Sequence, residues 1–214
     1  SNLGAWTRPA TQPAVAFEDF RHDPQKFPLK TPSGKIEIFS KQLFDLNNPL
    51  EIPAVPKYIQ EWESPFTVIQ PPAQDTPLQA IGHHTLHRVH STHDNNDWLE
   101  EAFPQRIFIN PVDAAARDIN DGDEVRVYNG RGELVLPCRR TPRIIPGVVD
   151  IPQGAWYEPD ENGLDFGGCV NVLTSSKWTP FAFGSTQHTL MVNIEKYSGR
   201  SADRVNKRKT GKSL

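Results

Sequence analysis

The sequence predicts a mostly-β domain whose strands close into a barrel. Three observations carry that expectation. Runs of four to six β-prone residues are separated again and again by Pro, Gly and Asn/Asp turns. Of the 20 prolines, seven lie between Pro49 and Pro77, where they forbid long helices. Only one stretch, opening at Asn110-Pro111, carries a clear helix-start signal, and it is short. A chain of 214 residues is long enough for one sizeable core and an appendage.

Residues 1–62 read as a peripheral segment, too short and proline-broken to build its own core, and therefore expected to pack on a domain outside this chain. Within it, Pro32-Ser33-Gly34 makes a turn into an alternating strand over Ile36–Ser40, and Lys41–Leu46 adds one helical turn. The barrel domain spans 63–197. Its expected strands are Phe66–Ile69, Leu78–Ile81 and Arg106–Ile109, then Glu124–Asn129, Glu133–Cys138, Val148–Pro152 and Leu190–Ile194. Asn110 caps a helix over Val112–Arg117, Pro111 takes its first position, and Asp113 suits the helix dipole. Asp121-Gly122-Asp123 turns the chain into the next strand, and Asn129-Gly130 with Arg131-Gly132 offers a hairpin. Gln153–Pro159 is a loop carrying two exposed aromatics, Trp156 and Tyr157. Gly163–Cys169 reads as a flexible loop. Residues 198–214 read as a basic, disordered tail.

A net charge of −3 lacks the basic footprint of a nucleic-acid binder. Cys138 and Cys169 lie too far apart for metal-ligand spacing and read as packed thiols. No apolar run is long enough to cross a membrane, and no signal peptide is present. The chain opens at Ser1-Asn2 rather than Met, which reads as tag cleavage, processing or excision; localisation is not legible from this end.

Five of the seven histidines fall between His83 and His93. Read as a strand, His84 and His90 share a face with Leu86 and Arg88 while His83 and His87 point the other way, which splits the cluster. No HExxH or carboxylate partner completes a zinc triad, and an arginine is a poor neighbour for a cation. Three readings stand: a metal site, ordinary solvated or core-satisfied polar residues, or donors to phosphates or a heterocycle with Arg88, Ser91 and Thr92 assisting. Asn110 and Asp113 are helix-start residues, and the carboxylate also suits the N1–H and 2-amino donors of guanine; it is expected beside the loop that the histidine stretch borders. Trp156 reads as a rim aromatic and Asn171 as a turn residue, while Gln187 and His188 sit in a Gly-Ser loop where side chains can face a ligand. No nucleophile is paired with a base, and no lysine-bearing phosphate loop occurs.

The stretches Ile81-Gly82-His83-His84-Thr85-Leu86-His87-Arg88-Val89-His90-Ser91-Thr92, Ile109-Asn110-Pro111-Val112-Asp113-Ala114-Ala115-Ala116-Arg117 and Asp121-Gly122-Asp123-Glu124-Val125-Arg126-Val127 resemble the C-terminal dinucleotide-binding domain of the dimethyl sulfoxide reductase family. Thr31–Ile38 and Gly184–Thr189 match as well, so the resemblance covers roughly 27–197. It implies a six-stranded double-psi β-barrel holding part of a bis(molybdopterin guanine dinucleotide) cofactor with molybdenum. The stretch His83–Thr92 (His83, His84, Thr85, Arg88, His90, Ser91, Thr92) would line pterin and pyrophosphate. Asn110 and Asp113 would hold guanine, and Trp156, Asn171, Gln187 and His188 would complete the cradle. Arg117-Asp118 departs from the family's Ala-Arg-Gly after the helix. The family's iron–sulfur cysteines and molybdenum ligand lie in upstream domains, and nothing here matches them; no catalytic residue and no metal ligand is assigned to this chain. The resemblance further implies partners (upstream domains of the same polypeptide, an iron–sulfur electron-transfer subunit and a membrane anchor subunit) and a periplasmic or membrane-associated bacterial setting for anaerobic respiration. The isolated chain is expected to be inactive. Two other classes remain: a zinc-dependent hydrolase built on His83–His93, and a stand-alone β-barrel interaction module.

Overall fold

The computed structural model describes residues 13–65, 77–186 and 188–199. The expected strand Phe66–Ile69, the side chain of Gln187 and the tail beyond Gly199 lie outside the described residues. The chain divides into two compact units, residues 1–59 and residues 60–214.

In the first unit no described residue is buried. Helix α1 (Glu18–His22) carries acidic residues in its first turn and basic ones in its last, matching the helix dipole. Helix α2 (Lys41–Asp45) is capped by Ser40, whose hydroxyl accepts from Leu43 N–H, and is braced by a 2.9 Å Lys41–Asp45 ion pair. The strand expected over Ile36–Ser40 does not form. Gly34, at φ +70°, lets Leu29 N–H reach the Gly34 carbonyl, and the residues that follow find no partner strand among the described residues. Alternation alone cannot hold a strand without a ladder.

In the second unit six strands close a barrel in the order β1-β5-β2-β4-β3-β6. They are β1 (Leu78–Ile81), β2 (Ile107–Ile109), β3 (Glu124–Tyr128), β4 (Glu133–Arg140), β5 (Val148–Asp150) and β6 (Leu190–Lys196). Pairs β1·β5 and β2·β4 are parallel and the other four antiparallel, the mixed ladder of a double-psi β-barrel. Alternation explains the interior. Leu78 and Ala80, Ile107 and Ile109, Val125 and Val127, and Leu190, Val192 and Ile194 all point inward and are buried, joined by Leu134, Leu136, Cys138 and Val149. The lumen is therefore filled with aliphatic side chains, and polar chemistry is left to the outer face and the two ends.

Two short helices decorate the barrel. Helix α3 (Asp97–Ala102) begins where the sequence shows only a polar turn; the Asn96 side chain accepts from Trp98 and Leu99 N–H. Helix α4 (Pro111–Ala115) starts as expected, with Asn110 Oδ1 accepting from Val112 N–H at 2.9 Å; it ends two residues before Arg117.

The strand directions sort the loops. The C-terminal ends of β1, β5 and β3 and the N-terminal ends of β2, β4 and β6 share one end of the barrel. The loop 82–94, residues 151–158 and His188 emerge there. The opposite end carries Asn110, α4 and the segment 141–147.

Candidate functional site

The histidine stretch is not a strand. Beyond β1 the backbone runs irregularly, with Val89 and Thr92 bridging a turn in which His90 stands at φ +54° and, just after it, His93 at +77°. Left-handed backbone at a non-glycine residue costs energy and persists only where the surroundings impose it. Here they do. Arg88 is almost fully buried and its guanidinium is engaged on three sides, by an ion pair to Asp94, by a 2.7 Å bond to Gln105 Oε1 and by a long one to Thr85 Oγ1. Gln105 in turn donates to the carbonyls of Pro152 (2.7 Å) and Gly168 (3.3 Å). Asp94 also accepts from Trp156 N–H, and the Trp156 indole donates to the Ser91 carbonyl, both at 2.8 Å. The loop 82–94 is thus clamped to the loop after β5, and Arg88 is the strut rather than an open anion donor.

The remaining imidazoles find separate neighbours. His83 is held by Asp150, Nδ1 to Oδ2 at 2.5 Å, with its backbone N–H on Oδ1, and lies edge-on to Phe108. His84 meets His90 edge-on at 5.0 Å, and His87 stacks on Phe103 at 4.9 Å. Burial first, then neighbouring Arg88, lowers the His87 pKa below its ordinary value. Among the described residues no group of three or more His, Cys, Asp or Glu could hold a metal ion, so the zinc reading lacks a ligand set. His188 joins this end: its Nδ1 faces Gly82 N–H and its Nε2 faces the Gln153 amide, both at 3.4 Å. Trp156 stays half-exposed on the rim. Asn171 is exposed in the short 3-10 turn Val170–Val172, whose neighbour Leu173 binds the β3–β4 hairpin through Asn129 and Arg131.

Asn110 and Asp113 do not border the histidine stretch. They sit at the opposite barrel end, because β2 runs antiparallel to β5, which is itself parallel to β1. Asn110 Nδ2 donates to the Ile144 carbonyl at 2.7 Å. Asp113 is fully buried; Oδ2 accepts from Gly147 N–H at 2.8 Å, while Oδ1 has no hydrogen-bond partner among the described residues. A buried acceptor left this way is costly and is a natural place for a ligand's donor.

The loop Gly163–Cys169, expected to be flexible, is pinned at its centre by a buried carboxyl group. Asp165 is buried, and its two oxygens accept from four backbone N–H groups, those of Glu158, Gly167, Gly168 and Cys169, at 2.6 to 3.0 Å. Sequence alone gave no sign of this, since a single Asp beside glycines also marks an ordinary turn.

A groove of about 580 Å³ runs over the outer face of β2, walled by Phe103, Pro104 and Phe108 and edged by His83, His87 and the cations Arg106 and Arg139. Its two arginines escaped the reading from sequence, because neither lies in a motif.

A filled six-stranded barrel with donor-rich loops at one end, an unpartnered carboxylate oxygen at the other and a groove edged by Arg106 and Arg139 is a candidate ligand-binding scaffold. The chain belongs to the family described as the molydopterin dinucleotide binding domain, whose model matches residues 78–191. It is 46% identical over 188 residues to the dimethyl sulfoxide reductase DmsA of Escherichia coli strain K12, a match covering 85% of this chain and 23% of that protein. It is 38% identical over 194 residues to trimethylamine-N-oxide reductase 1 of the same organism, covering 86% of this chain and 22% of that protein. The chain therefore spans less than a quarter of the length of these curated relatives. Among solved structures, acetylene hydratase from Pelobacter acetylenicus superposes with a TM-score of 0.66 over 82% of this chain and 25% of that one, at 19% identity, a likeness of fold.

Proposed function

We propose that this barrel is the domain of a molybdenum oxidoreductase that holds part of a bis(molybdopterin guanine dinucleotide) cofactor, in an enzyme reducing S- or N-oxides such as dimethyl sulfoxide. Family membership and the activities named for the relatives support the reading. The observation that carries it into this chain is Asp113 Oδ1, a buried carboxylate oxygen without a partner among the described residues. Guanine presents two adjacent donors, N1–H and the 2-amino group, and such an acceptor suits them; adenine presents an acceptor at N1 and loses a bond. Because Asp113 is covered, admitting a base edge requires the residues around Oδ1 to move aside.

In this reading Asn110 and Asp113 hold the guanine end. His83, His84, Thr85, His90, Ser91 and Thr92 line the pterin and pyrophosphate, and Trp156, Asn171, Gln187 and His188 complete the cradle. Arg88 contributes by fixing the loop. The cofactor supplies oxygen-atom chemistry; this domain binds and orients it. Iron–sulfur clusters belong to upstream domains. The partners are those domains, an iron–sulfur subunit and a membrane anchor subunit, in a periplasmic or membrane-associated bacterial setting. Among the described residues no helix is long and apolar enough to cross a membrane.

The test is the molybdenum and guanine nucleotide content of the purified full-length protein, wild type and Asp113→Asn. Asparagine keeps an oxygen for Gly147 N–H but turns its amide toward the ligand's donors. Cofactor content is expected to fall about tenfold, the effect of one mispaired buried contact, with the melting temperature nearly unchanged. Full occupancy in the variant sinks the guanine assignment.

A further inference from the structure

We infer that Arg106, which no motif singled out, is the groove cation that pairs with the diphosphate of a dinucleotide lying along the outer face of β2; the inference rests on the cofactor reading above. Three observations lead to it. First, the two halves of the proposed site emerge from opposite barrel ends, so one ligand serving both must be elongated and must pass outside a lumen filled with aliphatic side chains.

Second, an open groove of about 580 Å³ lies on that outer face, beginning at His83 and reaching Phe108 and Arg139. Phe108 is paired in register with Asp150 on one side and Arg139 on the other, so the groove crosses the strands rather than ending at a loop. Phe103, stacked on His87, and Phe108 offer flat apolar walls, the surface that a heterocycle joined to a charged linker fills.

Third, the charges are distributed so that one cation is available. Arg88, the arginine inside the histidine stretch, is buried against Asp94 and Gln105. Arg139 is partly occupied by Asp121 at 2.8 Å. Arg106 is exposed and lines the groove, and among the described residues it makes no ion pair or side-chain hydrogen bond. A planar guanidinium presents parallel N–H donors that match two oxygens of a phosphate. The chain around it, Gln105 buried on one side and Ile107 on the other, fixes its Cα at the mouth of β2.

Because Arg106 is on the surface, changing it leaves the core intact, and its substitution should move the melting temperature little. The experiment uses the full-length protein and its own cofactor. Wild type, Arg106→Lys and Arg106→Glu are dialysed at rising sodium chloride, and molybdenum and guanine nucleotide per polypeptide are measured together with the melting temperature. Loss of one charge-assisted contact predicts about tenfold lower retention for Arg106→Glu at low salt. Wild-type retention should fall as salt screens the pair, and Arg106→Lys should fall in between. If the wild type is loaded and Arg106→Glu retains as much cofactor at every salt concentration, the inference is overturned while the cofactor reading stands. If the wild type itself carries no guanine dinucleotide, the cofactor reading fails, and this inference with it.

Discussion

Cys138 sits at the inner wall of β4, 2% exposed, and shows how one residue ties the barrel's packing to pH. Burial pushes its thiol up to about 12, and the nearby carboxylates of Asp121 and Asp123 push the same way. A group whose folded pKa is raised favours the folded state while it is neutral. That contribution is whole below the ordinary thiol range near 9 and is lost as pH climbs toward about 12. Replacing Cys138 by valine keeps an apolar side chain and removes the titration. Melting temperatures of wild type and Cys138→Val are therefore expected to run parallel below pH 9 and to converge or cross above it, the wild type losing more. Parallel curves to pH 11 would show that the thiolate gains solvent without unfolding. Asp165 makes the complementary point: four backbone donors converge on one buried carboxyl group, so its polar atoms are satisfied inside the fold.

At the scale of elements, the two loops that meet at one barrel end are held by a close backbone approach. Gly154 stands at φ +95°, and a Cβ there would lie 1.8 Å from the His90 carbonyl oxygen. Gly154→Ala must both strain the backbone and push the loops apart, so it should cost about 2 kcal/mol or more. Gly163 also has positive φ, at +87°, but open space around it; Gly163→Ala should cost only about 1 kcal/mol of backbone strain. Denaturant midpoints of the two variants decide the point, and equal losses would mean the approach is not tight. Most strands were legible in the sequence because alternation between core and solvent is a local signal, as in Glu124–Tyr128 and Leu190–Lys196. So was the Asn110 cap. The Ile36–Ser40 alternation misled, since a strand also needs a partner. Helix α3 is hard to read in the sequence, although Asn96 with Asp97 and Glu100 is a capping pattern, because the polar run His93-Asp94-Asn95-Asn96-Asp97 reads equally as a turn. Asp165 bonds near neighbours, but a lone Asp beside glycines reads equally as an ordinary turn. The role of Arg88 was illegible because its partner Gln105 also holds the Pro152 and Gly168 carbonyls, a convergence no spacing encodes. The same holds for the separation of Asp113 from the histidine stretch, which follows only from strand direction.

For the whole molecule, the packed lumen confines any ligand to the barrel's outside, where a second surface must cover it if water is to be kept from reactive atoms. The chain spans 23% of the DmsA relative's length, and its proposed role is to bind and orient a cofactor rather than to do its redox chemistry. Removing oxygen from a sulfoxide takes two electrons and two protons, with water as the second product. In the proposed enzyme the electrons pass to the substrate through the cofactor, and this barrel supplies part of the surface that binds it. The isolated 214-residue chain is therefore expected to show no turnover with reduced viologen and dimethyl sulfoxide, even when supplied with released molybdenum cofactor, whereas the full-length protein turns over under the same conditions. Sulfide production by the isolated chain, in a preparation free of holoenzyme, would mean that one domain assembles the whole reaction centre and that its role as a partial scaffold is wrong.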